Sequence, residues 1–406
     1  MESAKPLAGL TVVDCASLYA GPVAATMLGD FGAEVIKVEH PDSGDPLREF
    51  GDSGQELAWK WVGRNKKSVP LDLHDDDGRR AFLELVDDAD VLVESFRPGT
   101  LERWGIGWET LSERNPGLVM VRTTGFGQTG PYSDRPGFGT LVEAMSGFAY
   151  ATGQTDGPPT LPPVALADTV CALHSAFAVM AALYWRDVGD GTGQFIDASI
   201  LEAMFATLGD HVVEYGVTGD DNKRSGNRST RTAPRNTYRT KDDRWVAISG
   251  STESIARRIL RTVGGESLVE DDRFQTMEDR LDNADELDEI IAEWMSERTR
   301  EEVVDAFEAN EAAIGPVNSM ADIFEDPHFD ERDAIVSIED DDLGEVEMRG
   351  VFPDLSRTPG DIEHTGPSLG EDSLDVLAER TSLGAAEIQS MVDRGVTTVS
   401  EDRTDE

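Results

Sequence analysis

Short apolar runs alternate with amphipathic stretches through the first half of the chain. Residues 10–15 (LTVVDC) read as a strand, followed by a turn at Gly21-Pro22 and a helical stretch through Phe31. Gly32 closes that helix, and residues 34–39 (EVIKVE) read as a second strand. A helix over 76–88 and strands over 91–94 and 118–123 continue the alternation. A helix over 168–185, a strand over 194–198 and a helix over 200–215 complete it. Strands separated by helices predict βαβ units and a mostly parallel sheet.

At Gly219 the pattern changes. Residues 219–236 (GDDNKRSGNRSTRTAPRN) are polar and read as a linker or functional loop. A strand over 245–249 and helices over 254–263, 284–296 and 300–309 follow, then a connector over 312–318. The predicted division is a large domain beginning at 1–218, the 219–236 linker and a small α+β domain over 237–318. Residues 319–406 then supply a second linker and the rest of the large domain. Residues 164–185 are apolar almost to the length of a bilayer span. They contain Asp168 and His174 and lack basic flanks, so they are read as a buried core helix.

Charge changes the picture. Against 36 Lys and Arg stand 80 Asp and Glu, a net −44. That excludes a phosphate backbone as a natural partner and argues against an anionic membrane surface. With 39% hydrophobic residues the chain is still expected to fold. Only 7 of its basic residues are lysine. An acidic, lysine-poor surface suits a cytoplasm of molar salt, where screening damps self-repulsion. The N-terminus has no basic segment leading into a long apolar run, so a cytoplasmic protein is expected.

Candidate chemistry is sparse. Cys15 (VVDCAS) and Cys171 (DTVCALHSA) sit in apolar contexts and read as structural thiols. The scattered histidines and two cysteines show no metal-ligand spacing. The first strand–turn–helix has the outline of a dinucleotide site, but its turn, SLYAGPVAAT, lacks G-x-G-x-x-G, which disfavours NAD.

Several ordered blocks carry a resemblance. They include LAGLTVVDCASLYAGPVAATMLGDFGAEVIKVEHPDSGDPLR, RNKKSVPLDL, DADVLVESFRPGTLERWGI, GFGQTGPYSDRPG, GPPTLPPVALADTV and GTGQFIDASILEAM. Together they resemble the class III CoA transferases, the formyl-CoA and carnitine CoA transferase group, from Pro6 to about Gly395. The resemblance implies a Rossmann-like large domain, a smaller domain, and two subunits interlocked as a homodimer. It implies that Asp168, in ALADTV, is the nucleophile. In such enzymes this aspartate attacks an acyl-CoA to form a mixed anhydride and then holds CoA as a thioester. Read from the residues alone, Asp168 is an N-cap, and a helix start would keep its carboxylate ionised.

By the same resemblance Arg97 and Arg103 (FRPGTLER) would hold CoA phosphates. Ser95, Phe96 and 71–74, with Leu71 and His74, would line the adenine side, and Tyr19-Ala20 the pantetheine end. His40 stands where many relatives have arginine. No metal or redox cofactor is implied, CoA thioester being a substrate. The nearest rival is an isomerase resembling the α-methylacyl-CoA racemases, which need a histidine where this chain has Phe138. The segment comparable to the glycine lid of oxalate-using relatives carries Arg228, Arg231 and Arg235 instead, read either as solvated linker charge or as contacts for substrate carboxylate. The inferred habitat and overall likeness point to succinyl-CoA as donor and mesaconate as acceptor.

Overall fold

A computed structural model describes residues 5–51, 55–221 and 223–400. The predicted domain ranges 1–218 and 319–406 therefore extend beyond the described residues at their outer ends. The chain divides into two compact units. The first comprises Met1–Phe148, Leu161–Val212 and Asp330–Glu406, and the second Ala149–Thr160 and Val213–Phe329.

The first unit is built on six parallel strands, β1 (Thr11–Asp14), β2 (Glu34–Glu39), β3 (Lys66–Pro70), β4 (Val91–Glu94), β5 (Val119–Thr124) and β6 (Phe195–Ser199). Their order is β3-β2-β1-β4-β5-β6, so direction of growth reverses between β1 and β4. In such sheets ligands bind beyond the carboxyl ends of the strands at that reversal. Alternate residues enter two cores. Val13, Ile36, Leu92 and Met120 face the helix Asp76–Asp87 and the C-terminal helices, meeting Phe82, Leu85, Leu377 and Met391. Val12, Val35, Val93 and Val121 face the helices Ala20–Asp30 and Leu166–Val188, meeting Leu28, Val179 and Leu183.

The structure corrects several sequence readings. Gly21 and Pro22 do not form a turn; they lie in the first turn of the helix Ala20–Asp30, where proline is tolerated. A side chain at Gly21 would press on Ala16 and Thr123, so this glycine serves close packing. The helix read over 200–215 is two helices, Ile200–Ala206 and His211–Thr218, interrupted near Gly209 at φ +52°. The helix Leu166–Val188 is longer than read and only partly buried. Leu173, Phe177, Met180, Tyr184, Trp185 and Val188 leave an apolar side of it exposed, Phe177 by 76%.

The second unit holds three antiparallel strands, β7 (Arg235–Arg239), β8 (Trp245–Ser249) and β9 (Ile314–Pro316). The connector read over 312–318 thus supplies an edge strand. Helices Glu253–Val269, Ala284–Ser296 and Arg300–Ala309 pack Ile259, Ile291 and Phe307 against Val246 and Ile248. A hairpin of β10 (Ile335–Asp340) and β11 (Gly344–Arg349) returns to the first unit. There Lys60 meets Asp340 at 2.8 Å.

Candidate active site

The turn after β1 is fixed from beneath by buried charges. Lys37 on β2 lies 2.9 Å from Asp45 and 3.8 Å from Asp14, and Lys66 on β3 lies 2.8 Å from Asp14. All four side chains are buried. Burial disfavours the Lys37 ammonium, but Asp14, Asp45 and Glu39 outweigh it and hold the amine protonated. Burial also works against the Asp45 carboxylate. Lys37 and the backbone N–H groups of Leu47 and Leu18 win, and its pKa falls.

Asp45 Oδ1 accepts from Leu18 N at 3.2 Å and Leu47 N at 3.0 Å. Leu18 adopts φ +66°, a left-handed conformation that costs a leucine free energy. The anchored, strained turn delivers Tyr19 to the start of its helix. The Tyr19 ring packs edge-on against Phe50 at 6.0 Å and beside Trp61 at 6.2 Å. Burial, then the charges of Asp168 and Asp45, raise the Tyr19 pKa, so the phenol stays protonated. Ala20 is buried among Val142, Ala167, Cys171 and Met204, the cluster supporting the start of the helix that bears Asp168.

Asp168 is the third residue of the helix Leu166–Val188 and is half-buried. It is not the N-cap; Ala165 occupies that place, without a side-chain capping bond. Instead Glu143, from the helix Gly139–Met145, accepts from Ala167 N at 3.2 Å. Gly139 of the same helix packs directly on the Asp168 carboxylate, where any side chain would overlap Oδ2. The electrostatics run opposite to the sequence reading. Burial first, then the Glu143 charge, push Asp168 up to about 6. Its carboxylate is still mostly ionised at neutral pH, but it is far more basic than an ordinary aspartate.

A cavity of about 310 Å³ opens at the carboxyl ends of β1 to β4, at the reversal of strand order. His40, Leu71, His74 and Phe96 all line it, with Asp45 and Cys15. Sequence reasoning missed Trp104. It lines the same cavity and meets His74 at 4.8 Å and Phe96 at 5.2 Å, both edge-on, so the wall is aromatic. Its signal was an indole directly after Arg103 in a segment already singled out. Asp72 fixes His74 by accepting from its backbone N at 2.8 Å.

Ser95 and the arginines stand apart from the cavity lining. Ser95 Oγ accepts from Ser17 N at 2.9 Å and ties β4 to the turn after β1. Arg97 and Arg103 are exposed, and Arg103 donates to Thr100 at 2.8 Å. Among the described residues neither has a carboxylate partner, so both guanidinium groups remain available to an anion. Arg228 and Arg231 differ. Arg228 pairs with Asp285 and Asp288, and Arg231 with Glu214, which neutralises them within the second unit. Arg235 donates to the Arg228 carbonyl at 3.4 Å.

Cys15 and Cys171 are both buried free thiols. Burial and neighbouring carboxylates raise Cys15 well above the usual thiol range, and burial pushes Cys171 up to about 12. Neither is poised as a nucleophile. Phe138, half exposed, precedes Gly139 and offers no base.

A doubly wound sheet, a cleft at its reversal point and a basic carboxylate at a helix start define a scaffold for acyl chemistry. Comparison with known proteins gives the class: the chain is a CoA transferase. It belongs to CoA-transferase family III, whose pattern it matches over residues 7–373. It is 43% identical to the succinyl-CoA–L-malate CoA-transferase beta subunit of Chloroflexus aurantiacus, over 92% of this chain and 94% of that one. It is 39% identical to the succinyl-CoA–D-citramalate CoA-transferase of the same organism, over 93% and 95%. Human succinyl-CoA:glutarate CoA-transferase is 31% identical, over 98% and 91%. The crystal structure of a CAIB/BAIF family protein from Brucella suis superposes with a TM-score of 0.83 at 31% identity, covering 92% of this chain and 99% of that one.

Proposed function

We propose that the enzyme transfers CoA from succinyl-CoA to a small dicarboxylic acid, mesaconate being the acceptor, with Asp168 as covalent nucleophile. The observation that carries this reading is the position of Tyr19. Its phenol feels the charges of both Asp168 and Asp45, and Asp45 lines the cavity, so the turn bridges a ligand cleft and a basic carboxylate. The cavity suits the nucleotide end of CoA. Trp104, Phe96 and His74 offer an aromatic wall for adenine, and Arg97 and Arg103, both exposed, offer positive charge for phosphate.

Asp168 attacks the thioester carbonyl, the C–S bond breaks, and CoA leaves as thiolate. The thiolate then attacks the Asp168 carbonyl of the anhydride and releases the donor as carboxylate. The acceptor carboxylate reverses the sequence, and each step conserves charge. No metal or redox cofactor takes part. The acceptor choice is supported by the names of the relatives, which pair succinyl-CoA with malate, citramalate and glutarate, all small dicarboxylic acids like mesaconate.

Two further parts belong to this reading. The large unit is Rossmann-like in strand order, and the exposed apolar side of Leu166–Val188 is where a second copy packs in a homodimer. The acidic surface belongs to a salt-rich cytoplasm. The test is a matrix of acyl-CoA donors and acids in molar salt, read by mass, with light scattering for the dimer. Transfer from succinyl-CoA to mesaconate is expected; transfer confined to monocarboxylic or aromatic acids overturns the assignment.

A further inference from the structure

Glu143 is an anomaly of the fold. It is 2% exposed, yet among the described residues no lysine or arginine pairs with it. Buried carboxylates are normally paired with a cation or neutralised. Its carboxylate accepts from the backbone N–H of Ala167, the residue before Asp168. Gly139, one helical turn earlier, packs on the Asp168 carboxylate itself. The helix Gly139–Met145 thus grips the start of the nucleophile's helix at two points. Among the described residues the titratable groups that act on or feel Asp168 are Glu143, Tyr19 and Cys171, and none of these is a cation.

Resting on the nucleophile reading above, we infer that Glu143 is a positioning residue that drives Asp168 toward its covalent form. Acylation replaces the Asp168 anion with a neutral anhydride or thioester, and the departing thiolate carries the negative charge away from Glu143. Repulsion and burial that disfavour the free carboxylate are both relieved in that step. The same forces hold the Asp168 pKa near 6, since a proton neutralises the site as an acyl group does. The hydrogen bond to Ala167 fixes which carboxylate is repelled, because it holds Glu143 against the nucleophile's own helix turn.

The test compares Glu143→Gln and Glu143→Asp with wild type in two measurements. One is the fraction of enzyme carrying CoA or acyl on the Asp168 peptide after mixing with acyl-CoA, by mass after acid quench. The other is the acidic limb of kcat/KM against pH. Glu143→Gln keeps an acceptor for Ala167 N and loses only charge. Its trapped fraction should fall about tenfold and its acidic limb should move to lower pH. Glu143→Asp keeps the charge, and its limb should stay near the wild-type pH. It carries the test alone if the glutamine variant does not fold, and a limb displaced downward then overturns the inference. A Glu143→Gln enzyme that matches wild type in both measurements leaves Glu143 as a helix cap and overturns the inference alone. Wild-type turnover with no adduct on Asp168 overturns the nucleophile reading, and this inference with it.

Discussion

Gly139 and Asp168 are packed so closely that a single methyl group on the glycine would overlap Oδ2 of the aspartate. Gly139 has ordinary helical surroundings, so its lack of a side chain answers to space at the carboxylate. Gly139→Ala should therefore displace Asp168. Shifts of about 1 Å at a reacting group typically cost about 10²-fold. Loss of kcat at that scale with a normal circular dichroism spectrum is expected. Unchanged turnover would show that the carboxylate has room to move.

Asp168→Asn should uncouple activity from stability. Loss of a covalent nucleophile typically costs about 10⁴-fold or more in rate. Because the folded-state pKa of Asp168 is raised, folding favours the protonated form. The carboxylate's stability penalty is absent below the unfolded value near 4, grows as pH rises, and is complete above about 6. The neutral amide should then stabilise the fold at pH 7 by about 1–3 kcal/mol, after allowance for partial solvent screening. Melting curves at pH 4 and 7 check this. A variant stabilised equally at both has some other cause.

The wild-type rate follows the same titration. The nucleophile must be ionised, so kcat/KM should fall tenfold per pH unit below about 6 and level off above it. A limb near pH 4 would mean that burial and Glu143 do not act on Asp168 as the geometry implies.

Trp104→Ala tests the cavity. An aromatic face against a base contributes about 1–3 kcal/mol, so KM for CoA thioesters should rise roughly 5- to 150-fold with kcat little changed. Arg97→Gln combined with Arg103→Gln should also raise KM, and more so at low salt. Effects confined to kcat would place the nucleotide elsewhere.

Lys37→Met tests the floor of the turn. It leaves Asp45 without its cation and removes one neighbour of Asp14. Breaking a buried pair from one side costs about 3–5 kcal/mol. Stability should drop on that scale in chemical denaturation, and the strained Leu18 turn should relax with loss of activity. A drop below about 1 kcal/mol would mean that the charges contribute little.

Much of the sheet was legible because β1, β2 and β4 are short apolar runs bounded by turn residues. β3 was not, because two adjacent lysines, Lys66 and Lys67, interrupt any apolar run, and the partners of the buried Lys66, Asp14 and the Pro22 carbonyl, lie elsewhere in the chain. β7 was hidden in a polar stretch, RNTYR, for the same reason: its pairing partner lies in β8. Four cavity-lining residues, His40, Leu71, His74 and Phe96, were reached through family motifs rather than through pattern. Glu143 was invisible, since one acid in LVEAM looks like a solvated position until the fold turns it inward.

The seven lysines have a chemical consequence. Lys37, Lys60 and Lys66 are buried and bound to aspartates. Lys5 and Lys67 are tied to Glu363 and Glu34. CoA thioesters acylate free amines, and a CoA transferase bathes itself in such electrophiles. Here five of the seven lysine amines are sequestered or already engaged, and arginine supplies most of the remaining positive charge. The lysine-poor composition leaves the catalyst with few places to be modified by its own substrates.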